Sequence, residues 1–349
     1  MHYLYSKIKL IIVSLLSIVS ISVAVAQSPL THQWERDSAN PVLGRNGSRD
    51  WDGGSVYAPS VILDETLFKM WYSGRLLTDT AVVATAIGLA TSSDGTNWFK
   101  DTRNPVLADG VRGTWDSDGA SHAVVLKQDE TYHMWYAGWD ESALRLIGYA
   151  TSLDGVSWLK DDNNPVLVSG SDGEWDSKGV SPGSVISLDD KFHMWYTGIG
   201  PSQSAQIGLA TSPDGVTWTK HVQNPVLRLG STTLDASGVA RPAVLFDGSS
   251  YRLWYTALGS DNTSRIGYAT SSDGVLWKRH FDELMLEPGG SDEWDSLAVT
   301  QPAVVHDIEL SVYHLWYTGE IASGTPNVEI GHAVTRVGYK VYVPFISRN

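Results

Sequence analysis

Two carboxylates are candidates for acid–base chemistry because each lies where the other repeats of this repetitive chain carry different residues. Asp118 follows an entry loop, meaning the loop that leads into the first strand of a repeat, and Glu320 follows the second strand of the last repeat. A pair of carboxylates can share proton transfer, one as general acid and the other as base or nucleophile. We predict Asp118 and Glu320 as the catalytic pair, with Asp140 and Glu141 as further acids nearby. The alternative is that they are solvated loop charges of an acidic protein.

A second group of side chains could orient a ligand, and its members also break the repeat. They are predicted to bind substrate: Tyr57, His122, Trp139, Arg241 and Gln301. The two most singular are Arg241 and His122, because each places a charged or titratable group at the start of an inner strand. A buried arginine needs a carboxylate, which the ligand or the protein can supply. An internal bridge from Arg241 to an aspartate of an entry loop therefore remains an alternative.

An aromatic motif recurs five times along the chain, at steps of about 60 residues. Its copies are Met70-Trp71-Tyr72, Met134-Trp135-Tyr136, Met194-Trp195-Tyr196, Leu253-Trp254-Tyr255 and Leu315-Trp316-Tyr317. A fixed period of this size indicates one supersecondary unit repeated. A ligand needs an asymmetric site, so candidate site residues are those that differ between copies.

Each repeat reads as four short antiparallel strands, which predicts a propeller blade. In the third copy, residues 191–196 alternate between two apolar faces, and Ser212-Pro213-Asp214-Gly215 predicts a tight turn before the fourth strand. The last repeat lacks this turn and the strand after it, whereas residues 32–35 resemble the missing strand. We therefore predict an all-β, five-bladed β-propeller whose last blade is closed by the N-terminal strand, rather than an open solenoid.

Residue types that occur in every repeat are interpreted as structural. The ladder of tryptophans in the aromatic motif is predicted to pack blade against blade. The entry loops also share an aspartate, predicted to cap its loop: Asp52, Asp116, Asp176, Asp235 and Asp295.

The N-terminal residues are predicted to be a signal peptide rather than part of the fold. Lys7 and Lys9 precede an apolar run that ends in the cleavage pattern Ala24-Val25-Ala26. An uncleaved anchor is the alternative. The expected organisation is a signal peptide at 1–26, a propeller domain at 27–338 and a short tail at 339–349. The mature protein is then secreted or periplasmic, and it must fold without disulfides because the chain has no cysteine.

Composition limits the class of partner. The formal net charge is −14, which disfavours nucleic acid and anionic membranes and leaves neutral or cationic partners. We expect a monomer that binds carbohydrate, with no membrane association once the signal peptide is removed. No cofactor is expected to be required, although carboxylate and carbonyl oxygens near the axis would suit a calcium ion.

The repeat text resembles the five-bladed propeller superfamily of glycoside hydrolases. Its elements are Asn-Pro-Val-Leu, Trp-Asp, Met-Trp-Tyr-x-Gly, Ile-Gly-x-Ala-Thr-Ser and Asp-Gly-x-x-Trp. That superfamily contains families 43, 32 and 130, which include arabinanases, invertases and mannoside phosphorylases. The resemblance implies a carbohydrate-active protein with carboxylates at the mouth of a central funnel.

This chain departs from the superfamily pattern at the column that carries the acids in family 43. The five residues there are Ala58, His122, Pro182, Arg241 and Gln301, none of them acidic. The resemblance therefore implies a glycoside hydrolase-like propeller acting on oligo- or polysaccharide at the funnel. A non-catalytic propeller that binds a glycan or a protein is the alternative.

Overall fold

The computed structural model describes residues 33–77, 82–283, 285–321 and 328–336. The predicted signal peptide and the tail at 339–349 lie outside these residues. The regular structure in the described ranges is β-strand, with no helix. Accordingly, none of these residues belongs to a helix long and apolar enough to cross a membrane.

The strands pair into five antiparallel units of four. Within the described ranges, the first strand is the two-residue β1 (Glu35–Arg36). Unit 1 is β2 (Ser55–Asp64), β3 (Leu67–Leu77), β4 (Val82–Ser92) and β5 (Phe99–Lys100). Unit 2 is β6 (Gly119–Gln128), β7 (Thr131–Trp139), β8 (Leu146–Ser152) and β9 (Leu159–Lys160).

The remaining units follow the same order. Unit 3 is β10 (Val180–Leu188), β11 (Lys191–Ile199), β12 (Ala205–Ser212) and β13 (Thr219–Lys220). Unit 4 is β14 (Gly238–Phe246), β15 (Tyr251–Leu258), β16 (Ser264–Ser271) and β17 (Lys278–His280). Unit 5 is β18 (Ala298–Asp307), β19 (Val312–Glu320), β20 (Val328–Arg336) and β1, and one parallel bridge joins units 4 and 5.

The units are arranged in a closed ring. The first strands contact one another in cyclic order, and β18 of unit 5 contacts β2 of unit 1. The outer strand of unit 5 is β1, whose Glu35 and Arg36 pair with Val334 and Ala333 of β20. The N-terminal pairing was predicted for residues 32–35. Closure by the N-terminal segment is confirmed, but the observed pairs are those of Glu35 and Arg36, and His32 lies outside the described residues.

The tryptophan ladder packs between units, as predicted. Each motif tryptophan is at most 1 % exposed. The Trp71 indole Nε1 donates to the carbonyl of Gly155 in the Asp-Gly turn of unit 2, at 2.9 Å, and Trp316 of unit 5 donates to Gly95 of unit 1. Trp254 is the exception, since unit 5 lacks that turn and its Nε1 has no hydrogen-bond partner among the described residues.

The repeated aspartates hold each unit's entry loop to its outer strand. Each is buried and accepts a hydrogen bond from the motif tyrosine of its own unit; Tyr136, for example, donates to Asp116 at 3.0 Å. Each also pairs with a cation on the fourth strand, as Lys160 does with Asp116 at 2.7 Å. In unit 5 that cation is Arg36 of β1, at 3.0 Å from Asp295. The aspartates are therefore structural, as predicted.

Candidate functional site

The inner strands turn sharply where they approach the ring axis. Four of the five equivalent residues, Ala58, His122, Arg241 and Gln301, have positive φ between 51° and 54°. This region is unfavourable for residues other than glycine, and it coincides with a bulge in each inner strand. The fifth residue, Pro182, cannot adopt positive φ. The bulge in its strand leaves one residue without a paired partner, whereas the bulges of the other four inner strands leave two.

Hydroxyl groups of neighbouring units stabilise this backbone. The N–H of His122 donates to Ser73 Oγ, and that of Arg241 donates to Thr197 Oγ1, each at 2.8 Å. Pro182 belongs to unit 3, and the neighbouring unit 2 carries Ala137 where the other units carry this hydroxyl. Proline has no N–H to donate, so the hydroxyl is absent only where it would have no donor.

Two adjoining cavities lie where these inner strands begin. The first, of about 310 Å³, is lined by Tyr57, Arg75, His122, Arg145, Thr300, Gln301, Arg241, Thr318, Glu320 and Val328. The second, of about 450 Å³, is lined by Tyr57, Arg75, Thr85, Asp109, Ser117, Asp118, Trp139 and Arg145. Each of the seven residues predicted as catalytic or substrate-binding therefore lines one of the two cavities, and three side chains line both.

The predicted acid pair is divided between these cavities. Glu320 is half-buried in the first, whereas Asp118 is exposed and lines the second. Asp140 lies in neither: its carboxylate accepts hydrogen bonds from the N–H and hydroxyl of Ser142, at 2.9 and 2.6 Å, and so caps its own turn. Asp140 and the neighbouring Glu141 thus fit the alternative of loop charges.

A hydrogen-bond network fixes the proton positions beside the first cavity. The Gln301 amide oxygen accepts from the N–H of Ala58 at 2.9 Å and from Thr318 Oγ1 at 2.8 Å. Its amide nitrogen must therefore be the group that donates to His122 Nε2 at 3.3 Å, and His122 Nδ1 then donates to Ser121 Oγ at 2.7 Å. His122 is thus a neutral imidazole, and burial followed by the charges of Arg241 and Arg145 holds its pKa well below the usual value.

The arginines of the first cavity have no carboxylate partner among the described residues. The internal bridge from Arg241 to an entry-loop aspartate is therefore wrong, because those aspartates pair with fourth-strand cations. Burial, and then repulsion by Arg145, lowers the pKa of Arg241 to about 9. Burial raises the pKa of the half-buried Tyr57, against the opposing effect of the arginines.

Sequence reasoning missed Arg75 and Arg145 as site residues. Arg75 occupies the same second-strand column as Trp139 and Glu320, so the rule that selected those two would also have selected it. Arg145 lies just before β8, after a loop whose length differs between repeats. The other repeats therefore have no equivalent position with which Arg145 could be compared. Arg75 donates from Nε to Ser55 Oγ at 3.0 Å, and Arg145 stacks over the Trp139 ring at 5.1 Å.

The described part of the chain contains no group of three or more His, Asp and Glu side chains that could hold a metal ion.

Comparison with known proteins places the fold. The model of the glycosyl hydrolases family 32 N-terminal domain matches residues 122–295. An uncharacterized protein of Mycobacterium tuberculosis (strain CDC 1551 / Oshkosh) is 27 % identical over 274 residues, covering 75 % of this chain and 88 % of that protein. The beta-1,2-mannobiose phosphorylase of Thermoanaerobacter sp. (strain X514) is 29 % identical over 133 residues, covering 34 % of this chain and 43 % of the enzyme.

A solved structure shows the same architecture. It is a family 117 glycoside hydrolase of the marine bacterium Zobellia galactanivorans, which superposes with a TM-score of 0.68 at 18 % identity and covers 90 % of this chain and 94 % of its own. At that identity the likeness shows the fold alone, since one fold hosts many activities. The chain therefore has the β-propeller fold of these glycoside hydrolases, and over residues 122–295 its sequence is similar to the glycosyl hydrolases family 32 N-terminal domain.

Proposed function

We propose that this protein is an exported, five-bladed carbohydrate-active propeller that binds an oligo- or polysaccharide at the mouth of its funnel and cleaves a glycosidic bond there. The observation that carries the proposal is the convergence of the symmetry-breaking side chains on two adjoining cavities. Structural positions repeat around the ring, whereas a ligand requires an asymmetric surface.

The cavities offer the groups that carbohydrate recognition requires. Trp139 supplies an aromatic ring for sugar stacking, while Tyr57 and Gln301 supply polar groups for hydroxyls. Glu320 and Asp118 are the carboxylates proposed for chemistry, one protonating the leaving oxygen and the other activating water or attacking carbon. Glu320 lines the first cavity and Asp118 lines the second, so a sugar that occupies both cavities would meet both acids.

One observation favours a second function, namely glycan binding without cleavage. The five equivalent residues where the inner strands approach the ring axis include no carboxylate, and the proposed acids line separate cavities. Hydrolysis requires two carboxyl groups about 5 to 10 Å apart. A propeller that retains only the binding surface would satisfy the same geometry.

The test screens aryl glycosides and plant and microbial oligosaccharides for turnover and binding by the wild type, Glu320→Gln and Asp118→Asn. Glu130→Gln, an exposed acid in the turn between β6 and β7, is the matched control. We expect each site variant to lower kcat by about 10²- to 10⁴-fold while the control is unchanged. Activity that survives both site substitutions would eliminate this pair.

Binding separates the two functions. If the wild type turns over nothing on the panel but binds a glycan, and Tyr57→Ala abolishes that binding, the non-catalytic function is correct. If no glycan binds, or binding is unaffected by Tyr57→Ala, the proposal of a carbohydrate site at the funnel mouth is wrong.

A further inference from the structure

We propose that the funnel mouth selects an acidic glycan, and that Arg75, Arg145 and Arg241 together hold a carboxylate or sulfate group of that glycan. The inference rests on the proposed carbohydrate site and names its substrate class. These three arginines, referred to below as the arginine cluster, come from units 1, 2 and 4 and line the same cavity.

The arginine cluster differs in its partners from the other described arginines whose side chains are buried or half-buried. Among the described residues, the remaining arginines with buried or half-buried side chains each pair with a carboxylate: Arg36, Arg45, Arg252, Arg265 and Arg279. The chain has 39 acidic residues against 25 basic ones, so carboxylates are not scarce. The three shielded arginines without a carboxylate partner in the described ranges are those that line the first cavity.

Buried donor atoms in the arginine cluster are left unsatisfied. Arg241 Nη1 and Arg145 Nε are both buried and have no hydrogen-bond partner among the described residues. An uncompensated buried cation is costly, and the polar hydroxyls of a neutral sugar compensate it less than an oxyanion does. The pattern of missing partners therefore indicates an anionic ligand.

The guanidinium groups are oriented before any ligand arrives. The Arg145 guanidinium lies 5.1 Å from the Trp139 ring centroid, and that of Arg75 lies 5.8 Å from the Tyr57 ring centroid, while Ser55 fixes Arg75 Nε. Stacking on an aromatic face leaves the N–H groups at the edge of the guanidinium free to donate. Planar guanidinium groups held in this way match carboxylate and sulfate oxygens in bidentate geometry.

Glu320 is the carboxylate that lines the first cavity, yet it lies within ion-pairing distance of none of the three arginines in the described structure. Three guanidinium groups and one carboxylate leave the cavity positively charged within an acidic protein. A ligand carboxylate would be attracted to the arginines and repelled by Glu320. The charged end of the glycan is therefore oriented away from Glu320.

The test measures binding by titration calorimetry to a panel of charged and neutral sugars. The charged probes are glucuronate- and galacturonate-containing oligosaccharides and sulfated galactans, and the neutral probes are the methyl-esterified and desulfated counterparts. Inorganic phosphate and inorganic sulfate are titrated separately, which distinguishes an anion carried by the sugar from a free anion. The variants are Arg241→Gln and Arg145→Gln, with the exposed Arg103→Gln as control.

We expect at least one charged glycan to bind ten-fold or more tightly than its neutral counterpart, with an affinity that falls as salt concentration rises. Arg241→Gln and Arg145→Gln should each remove that preference, while Arg103→Gln retains it and all three variants keep a cooperative thermal transition. Neutral glycans that bind as tightly as charged ones, or a preference that survives both cavity substitutions, would overturn the inference and leave the carbohydrate site intact. Inorganic phosphate that binds in preference to every charged glycan would show that the arginine cluster serves a free anion. Failure of all glycans to bind would overturn the proposed function as well.

Discussion

At the scale of single residues, the site is distinguished by what its side chains lack. Arg241 sits on strained backbone, has a buried Nη1 without a hydrogen-bond partner and meets no carboxylate in the described structure. His122 beside it is locked as a neutral imidazole by Gln301 and Ser121. Strain and unpaired charge both cost stability, and both concentrate where a ligand would repay them.

Replacing Arg241 should therefore stabilise the ligand-free protein. Arg241→Met removes a half-buried cation without a carboxylate partner and keeps the volume of its stem, so we expect the free energy of unfolding to rise by about 1 to 3 kcal/mol. Urea denaturation measures this change. The matched control is Arg279→Met, which leaves the buried Asp235 without its partner at 2.6 Å and should lower stability by about 3 to 5 kcal/mol. Equal destabilisation by both substitutions would show that Arg241 has a protein partner.

At the scale of elements, four of the five units are joined to the next unit by a hydrogen bond from the motif tryptophan to the Asp-Gly turn. The indole of Trp195 donates to the Gly274 carbonyl at 2.9 Å, and three other motif tryptophans make the equivalent bond. Trp254 packs equally deeply but faces unit 5, where the outer strand comes from the N-terminus and the Asp-Gly turn is missing. Ring closure by β1 therefore removes one inter-unit hydrogen bond.

This difference can be measured with two matched variants. Trp195→Phe and Trp254→Phe remove the same atoms, but only the first leaves a buried carbonyl without its donor. We expect Trp195→Phe to cost about 1 kcal/mol more in the free energy of unfolding. Chemical denaturation of both variants tests the expectation, and a larger cost for Trp254→Phe would contradict it.

The repeat made most of the elements predictable from sequence. Five copies of the aromatic motif predict the strand order, and the missing outer strand of the last copy predicts the N-terminal pairing, which is observed at Glu35 and Arg36. Four site residues could be selected because they differ from the residues at the equivalent position of the other repeats: Tyr57, His122, Arg241 and Gln301. Arg145 could not, since its loop has no fixed length. The separation of Asp118 from Glu320 depends on the three-dimensional form of loops, which periodicity does not encode.

At the scale of the whole molecule, seven histidines make stability depend on pH in the same direction. Burial lowers the pKa of seven described histidines: His122, His133, His193, His280, His306, His314 and His332. The unfolded chain then binds more protons than the folded one as pH falls through the usual histidine range. Acidification below pH about 6.5 should therefore destabilise the entire ring.

His314 offers the sharpest measurement of this effect. Burial, and then His332, lowers its pKa to about 4, and its ring nitrogen lies 3.0 Å from that of His332 beside the closing strand. Between pH 7 and pH 5 we expect His314 alone to remove about 2 kcal/mol of stability. His314→Gln should flatten that part of the pH profile, measured by denaturation at each pH. A profile of unchanged slope would mean that His314 is not the group that titrates.

The most direct measurement of the funnel's role is a crystal structure of the protein with the tightest-binding charged glycan of the panel. We predict the sugar in the first cavity, with its carboxylate or sulfate oxygens about 2.7 to 3.2 Å from Arg241 and from at least one of Arg75 and Arg145, and its neutral part directed toward Glu320. A glycan bound elsewhere on the propeller, or one whose charged group points away from the arginine cluster, would contradict this assignment.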